Sequence, residues 1–364
     1  MANEYRADHI GSLLRPPEVM QAREQHAAGK LDLAGLRAVE DQHILRALEL
    51  QHEAGLAVFT DGEYRRGSWQ SDMADSVDGF VREHLPIEWH GPNAGVEGST
   101  AHVVGARLHK RQRLTGHESA FLKAHAGGPV KITMPPPSVF LIKSYRPGIS
   151  DKIYNREELL RDLVDIVGSE VDALVQEGVE YIQFDSPEYA RLLDPRTREE
   201  IERAGLSPDK ALEMSIEGDN ACLRRPASGN VTFALHVCRG NSRSRWFGEG
   251  GYEPIAERLF PSMDVDRYLL EYDSERAGSF EPLRFVPQDK MVVLGLITTK
   301  DGELESKDEL RRRIDEAAKY HALDKLAISP QCGFASTAAG NLLTPDQQKR
   351  KLALVAEVAQ STWA

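Results

Sequence analysis

The chain has 364 residues, 41% of them hydrophobic, with a formal net charge of −12 and three cysteines. That length suits one α/β barrel with insertions, no apolar run approaches the roughly 20 residues that span a bilayer, and the N-terminus lacks the layout of a secretory signal. The acidic balance argues against nucleic acid and the odd, low cysteine count against a disulfide framework, so a soluble, cytoplasmic protein without membrane partners is expected.

Short apolar runs alternate with helical stretches along the chain. Residues 7–13 open it and lead into a long helical region; residues 56–61 and 130–134 follow, then 180–185. The second half adds runs at 231–236, 268–271, 291–297 and 325–329. Apolar positions recur every three to four residues over 157–176, 306–320 and 345–359, which predicts helices there. A strand-then-helix alternation implies parallel strands, because a parallel pair needs a crossover connection. Eight such units predict a (β/α)8 barrel of the TIM type, occupying 1–364 as one domain. The competing doubly wound sheet lacks its Gly-x-Gly-x-x-Gly after the first strand. The stretch from about 82 to 128, rich in Gly, His and Pro, reads as an insertion over the barrel mouth.

Function in such barrels sits just past the C-terminal ends of strands. Those positions read Ile10-Gly11-Ser12, Asp61-Gly62-Glu63, Asp185-Ser186-Pro187-Glu188, His236-Val237-Cys238-Arg239-Gly240-Asn241, Glu271-Tyr272-Asp273 and Gln331-Cys332-Gly333. His236, Cys238, Glu271 and Cys332 are all good zinc ligands, and four complete a tetrahedral shell. Residues two apart on an extended segment face one side, so His236 and Cys238 can hold one ion. A lone His-x-Cys is a weak signal, and single cysteines are commonly small buried apolar residues. It is the placement of all four at strand ends that favours zinc. Cys222, on a helical pattern, reads as a packed thiol, and His102, His109, His117 and His125 read as loop histidines. The stretch from Tyr64 to Trp69 suits either an anionic donor or the start of the next helix.

This set, with the Cys332-Gly333 pair near the end, resembles the catalytic domain of cobalamin-independent methionine synthases, and the resemblance runs from Ile10 to Cys332. It implies the catalytic half alone, without the folate-associated N-terminal half. It also implies that His236, Cys238, Glu271 and Cys332 bind the Zn2+ that activates homocysteine. Ile10, Gly11 and Ser12 then match the turn receiving the homocysteine carboxylate, and Glu63 and Asp185 match the acids that hold its amino group. A tight Gly turn can aim backbone N–H groups at an anion, and two buried carboxylates are costly unless a cation joins them. Pairing with Arg65 and Arg66 is the alternative use of the acids.

Three positions depart from the family. Its proton-donating His is Lys300, which donates only if its pKa falls towards neutrality and otherwise serves as a fixed positive charge. Its folate-stacking Trp falls in Met134-Pro135-Pro136-Pro137, and a folate-contacting acid is Arg191. The expectation is therefore a zinc-dependent S-alkyltransferase, a methyltransferase of the 5-methyltetrahydropteroyltriglutamate–homocysteine type, making methionine with a donor other than ordinary folate. A methyl-carrier protein is left open as partner. The alternatives are an epoxyalkane–coenzyme M transferase-like addition and a non-catalytic zinc-binding accessory protein.

Overall fold

The computed structural model describes residues 5–70, 73–225 and 231–363. Six parallel strands form the main sheet in sequence order. A long antiparallel pair precedes them, so the numbering starts there: β1 is Val77–Trp89 and β2 is Gly95–Lys110. The sheet comprises β3 Lys131–Met134, β4 Tyr181–Asp185, β5 Thr232–Val237, β6 Arg267–Glu271, β7 Met291–Ile297 and β8 Leu326–Pro330. Near-continuous burial along these strands fits a parallel sheet covered on both faces. A helix or helical turn follows most of them.

The first two expected strands are shorter than the sequence suggested. Residues 7–13 and 56–61 contribute single parallel bridges, Ala7 to Ile328 of β8 and Phe59 to Val130 beside β3. The Ala57 amide donates to the Ala7 carbonyl at 3.3 Å, so a ring of hydrogen-bonded segments joins β8 to β3. The pairing stops early because both segments turn at glycine: Gly11 has φ +138° and Gly62 φ +70°, conformations that break a ladder and that glycine tolerates best. Tyr5, Ile10, Val58, Tyr181, Ala234, Leu269, Val293 and Ala327 form one apolar cluster, and the larger core lies around it.

The helix Arg156–Gln176 shows why the outer layer is stable. Asn155 accepts the Glu158 amide, and Glu158 accepts the Asn155 amide, a capping box. Leu159, Leu163, Ile166, Val167, Val171 and Leu174 make its buried stripe. Glu170 on the same helix reaches the base of the β1–β2 hairpin, accepting from Lys110, Arg113, and the Leu114 and Thr115 amides at 2.8–3.0 Å. The stretch expected as an insertion, about 82 to 128, overlaps this hairpin and is largely regular strand, with Ser119–His125 in its second part helical. Its far end meets the loop after β5: Trp89 lies edge-on to Phe247, His90 pairs with Trp246, and Arg245 makes a two-pronged contact with Glu97 at 2.7 and 2.8 Å. No helix of the described residues is long and apolar enough to cross a membrane.

Candidate functional site

Going round the ring, one arc supplies carboxylates and the other sulfur and imidazole. His236 lies on β5, Cys238 just past it, Glu271 ends β6 and Cys332 follows β8. One ligand atom from each lies within 4.8 Å of the others. The Cys238 and Cys332 sulfurs are 3.5 Å apart.

The imidazole is oriented for ligation. His236 Nδ1 is 3.2 Å from the Leu269 carbonyl, which can only accept, so the proton sits on Nδ1. Its Nε2 is buried and makes no hydrogen bond of good geometry; it faces the Cys332 sulfur, as a nitrogen shared with that sulfur by one ion would. The Glu271 carboxylate accepts the Arg239 amide at 2.8 Å and Arg276 at 3.3 Å. The Gly240 amide points at the Cys238 sulfur from 3.3 Å, and the Ser336 hydroxyl lies 3.7 Å from that of Cys332. Two thiols, an imidazole and a carboxylate in this arrangement fit zinc.

Electrostatics without an ion reflect the crowding of negative groups. The Cys238 S–H pulls the Cys332 thiol well below its ordinary pKa, aided by His236 and Lys300 against burial. The same contact, with burial, pushes Cys238 up. Burial opposes charge on His236, but the Cys332 sulfur, Asp185 and Glu271 overcome this and raise its pKa to about 9.

The carboxylate arc begins beside the imidazole, since Asp185 and His236 are direct neighbours across β4 and β5. Gln183 positions Asp185. Its oxygen accepts the Lys131 ammonium at 3.0 Å, which leaves its NH2 to donate to Asp185 at 2.7 Å and to the Ile10 carbonyl at 2.8 Å. Burial raises the Asp185 pKa to about 7, with Glu63 adding to the rise against the imidazole of His236. Glu63 adopts a left-handed backbone, φ +60°, braced by Asp61, whose carboxylate accepts its amide at 2.8 Å. A non-glycine residue there is strained by about 1–3 kcal/mol. Glu63 Oε1 accepts from Thr133 at 3.0 Å and lies 3.7 Å from Arg66, while Oε2 is buried without a hydrogen bond.

Gly11 makes room for this carboxylate, because a Cβ there would sit 2.8 Å from Thr133 and 3.1 Å from Glu63 Oε1. Ser12 joins the two arcs: its hydroxyl accepts the Ala335 amide at 3.3 Å and its carbonyl the Phe334 amide at 2.9 Å.

Lys300 follows β7 and is buried. Its ammonium donates to Asn241 Oδ1 at 2.6 Å, the Gly240 carbonyl at 3.1 Å and the Arg245 carbonyl at 3.2 Å. Burial lowers its pKa, opposed by the charges of Glu271, Cys332 and Cys238. Pro135 is buried behind β3, and Arg191 pairs with Glu200 at 2.8 Å and Glu188 at 3.4 Å. Cys222 is fully buried on a helix, and Arg65 and Arg66 are drawn into pairs with Asp41 and with Glu63 and Glu118. Sequence reasoning gave no role to Asn241, Ser336, Thr133, Gln183 or Arg276. Asn241 lay inside a quoted motif; Arg276 carried no sequence signal, since its contact with Glu271 depends on how the chain turns after β6.

A family model described as the catalytic domain of cobalamin-independent synthase matches residues 6–359. The Bacillus subtilis protein YxjH is 39% identical, the match covering 99% of this chain and 95% of that protein. A methionine synthase of Saccharolobus solfataricus is 24% identical over 89% of this chain and 86% of its own. Among solved structures, a Listeria monocytogenes protein is 27% identical with a TM-score of 0.75, covering 100% of this chain and 99% of its own. A B12-independent methionine synthase of Shewanella sp. W3-18-1, in complex with selenomethionine, has a TM-score of 0.74 at 19% identity, covering 98% and 97%, and supports the fold.

Proposed function

The chain belongs to the family of cobalamin-independent synthase catalytic domains, and from that premise we propose that it is a zinc-dependent methyltransferase acting on the sulfur of homocysteine. His236 Nε2, Cys238, Glu271 and Cys332 would hold the ion. A zinc ion there supplies positive charge that keeps a small thiol deprotonated at neutral pH, where free thiol is mostly protonated.

The chain's own residues do the rest. Glu63 and Asp185 hold an α-ammonium between them; the cation offsets the cost of two buried carboxylates. The turn Ile10-Gly11-Ser12 receives the α-carboxylate. Together they would hold the acceptor with its sulfur beside the four ligand atoms, oriented for in-line attack on the donor carbon. The reading rests above all on Glu63 Oε2, a buried carboxylate oxygen without a hydrogen bond, in the same ring as the four convergent ligand atoms.

On the donor side, Pro135 offers no aromatic face and Arg191 no acceptor for a pterin, which supports a donor other than ordinary methyl-tetrahydrofolate. Losing the stack alone removes roughly 0.5–1.5 kcal/mol. A thiol-consumption screen of zinc-loaded protein tests this, crossing homocysteine and coenzyme M with methyl-tetrahydrofolate, methylcobalamin and epoxides. Homocysteine should be consumed, and slowly with methyl-tetrahydrofolate. Consumption of coenzyme M with an epoxide, and none of homocysteine, would sink the proposal.

A further inference from the structure

Of the four strands from β5 to β8, β7 alone contributes no candidate ligand. It contributes Lys300, and the three protons of that ammonium all go to the loop after Cys238: the Gly240 carbonyl, Asn241 Oδ1 and the Arg245 carbonyl. An ammonium only donates, so the oxygen of the Asn241 amide must face it. Asn341 Nδ2 donates to the same oxygen at 2.8 Å. The Asn241 NH2 is thereby turned towards the loop after β8, where it donates to the Gly333 carbonyl at 2.6 Å and the Ser336 hydroxyl at 2.9 Å. Gly333 is the residue after Cys332. Ser336, its oxygen engaged by Asn241, has its hydrogen free for the Cys332 sulfur at 3.7 Å.

The chain of contacts therefore runs from Lys300 through Asn241 to both sulfur-bearing loops. Two sulfurs 3.5 Å apart repel once both are thiolate, and they sit on loops that no ladder pairs directly. The loops also meet farther from the sulfurs, where the Arg243 amide donates to the Gly340 carbonyl at 3.1 Å, the Ser244 amide to Asn341 Oδ1 at 2.9 Å and the Leu342 amide to the Ser244 hydroxyl at 2.9 Å. Beside the sulfurs themselves, the spacing still has to be held while they carry charge. A buried cation that binds one loop and orients a side-chain amide onto the other meets that need.

We propose that Lys300 is a positioning residue of the metal centre: through Asn241 it locks the loop carrying Cys238 to the loop carrying Cys332. It sets how tightly the thiolate pair holds its ion. The inference rests on the zinc reading above and adds a role that the reading does not require, since that reading leaves Lys300 only as a proton donor or a fixed positive charge. Groups that orient ligands from behind typically change metal affinity by 10–100-fold.

Zinc affinity measured by competition with a chromogenic chelator tests this in wild type, Lys300→Met, Asn241→Ala and the double variant, with apo-protein melting followed alongside. Lys300→Met should weaken zinc binding by about 10–100-fold, and the double variant should be no worse than the weaker single, because both changes break one connection. Cobalt-loaded Lys300→Met should show a shifted thiolate-to-metal absorption band. A residue that only stabilises the fold would lower the melting temperature and leave affinity and spectrum alone; that result, or no change at all, overturns the proposal. If Lys300→Met does not fold, Asn341→Ala carries the test. It removes the hydrogen bond to the same Asn241 oxygen, together with those to the Ser244 amide and to Thr299, and should weaken zinc at least about fivefold; wild-type affinity there overturns the proposal. A wild type that binds no zinc would instead overturn the metal reading, and this inference with it.

Discussion

Gly333 packs directly on Ser12: a Cβ on Gly333 would lie 1.9 Å from the Ser12 hydroxyl oxygen and 3.2 Å from its Cβ. The residue beside a candidate metal ligand thus touches the turn assigned to the acceptor carboxylate. A side chain at 333 would force the Ser12 hydroxyl to another rotamer and leave tight contacts of 3.2 and 3.4 Å with its Cβ and backbone nitrogen.

Gly333→Ala should accordingly disturb both halves of the site. Over-packing of this kind costs typically 1–3 kcal/mol, and the contact can relax only by moving Ser12 or the backbone after Cys332. The expected outcome is a lower melting temperature together with weaker zinc binding and weaker homocysteine binding. Loss of stability with both affinities intact would mean that the contact is packing alone.

Metal and acceptor should otherwise separate. Wild type should carry one zinc per chain under reducing conditions, and Cys332→Ala should lose most of it. Glu63→Gln and Asp185→Asn should keep the zinc and weaken homocysteine binding, by about 1.5–3 kcal/mol for each charge-assisted hydrogen bond lost. Elemental analysis and titration calorimetry measure the two quantities. Unchanged homocysteine binding in both acid variants would point to a thiol without an amino group.

Acid stability should depend on Glu170, which is fully buried. Burial alone would raise its pKa, but the amides of Leu114 and Thr115, the Thr115 hydroxyl and Lys110 outweigh that and hold it at about 2. A depressed carboxylate stabilises the fold above its unfolded pKa and loses that contribution as pH falls through the folded one. The stabilisation, on the order of 3 kcal/mol, should be complete above about pH 4.5 and fade towards pH 2. Glu170→Gln should destabilise the protein at pH 7 and flatten the acid limb of a urea-unfolding series. An unchanged acid limb would show that other groups carry it.

Much of this molecule is determined locally and is therefore legible in the sequence. The six sheet strands lie within a residue or so of the apolar runs at 130–134, 180–185, 231–236, 268–271, 291–297 and 325–329, because a buried parallel strand must be apolar along its length. The four candidate ligands could be named because the barrel turns strand ends towards one place, whatever the loops do.

Other features depend on partners far away in the chain. The early end of the first two segments follows from glycine turns that serve the carboxylate arc, so strand propensity over 7–13 and 56–61 overstated them. The hairpin beginning at Val77 pairs residues such as Val77 and Lys110, whose register no local composition announces. The use of Lys300 was decided only in three dimensions. From sequence it was a cation at a family position; its three acceptors, Gly240, Asn241 and Arg245, lie 55–60 residues earlier in the chain. Residue type determines which hydrogen bonds a side chain can make, whereas the distances between remote loops determine which of them it does make, and those distances exist only once the ring of strands has formed.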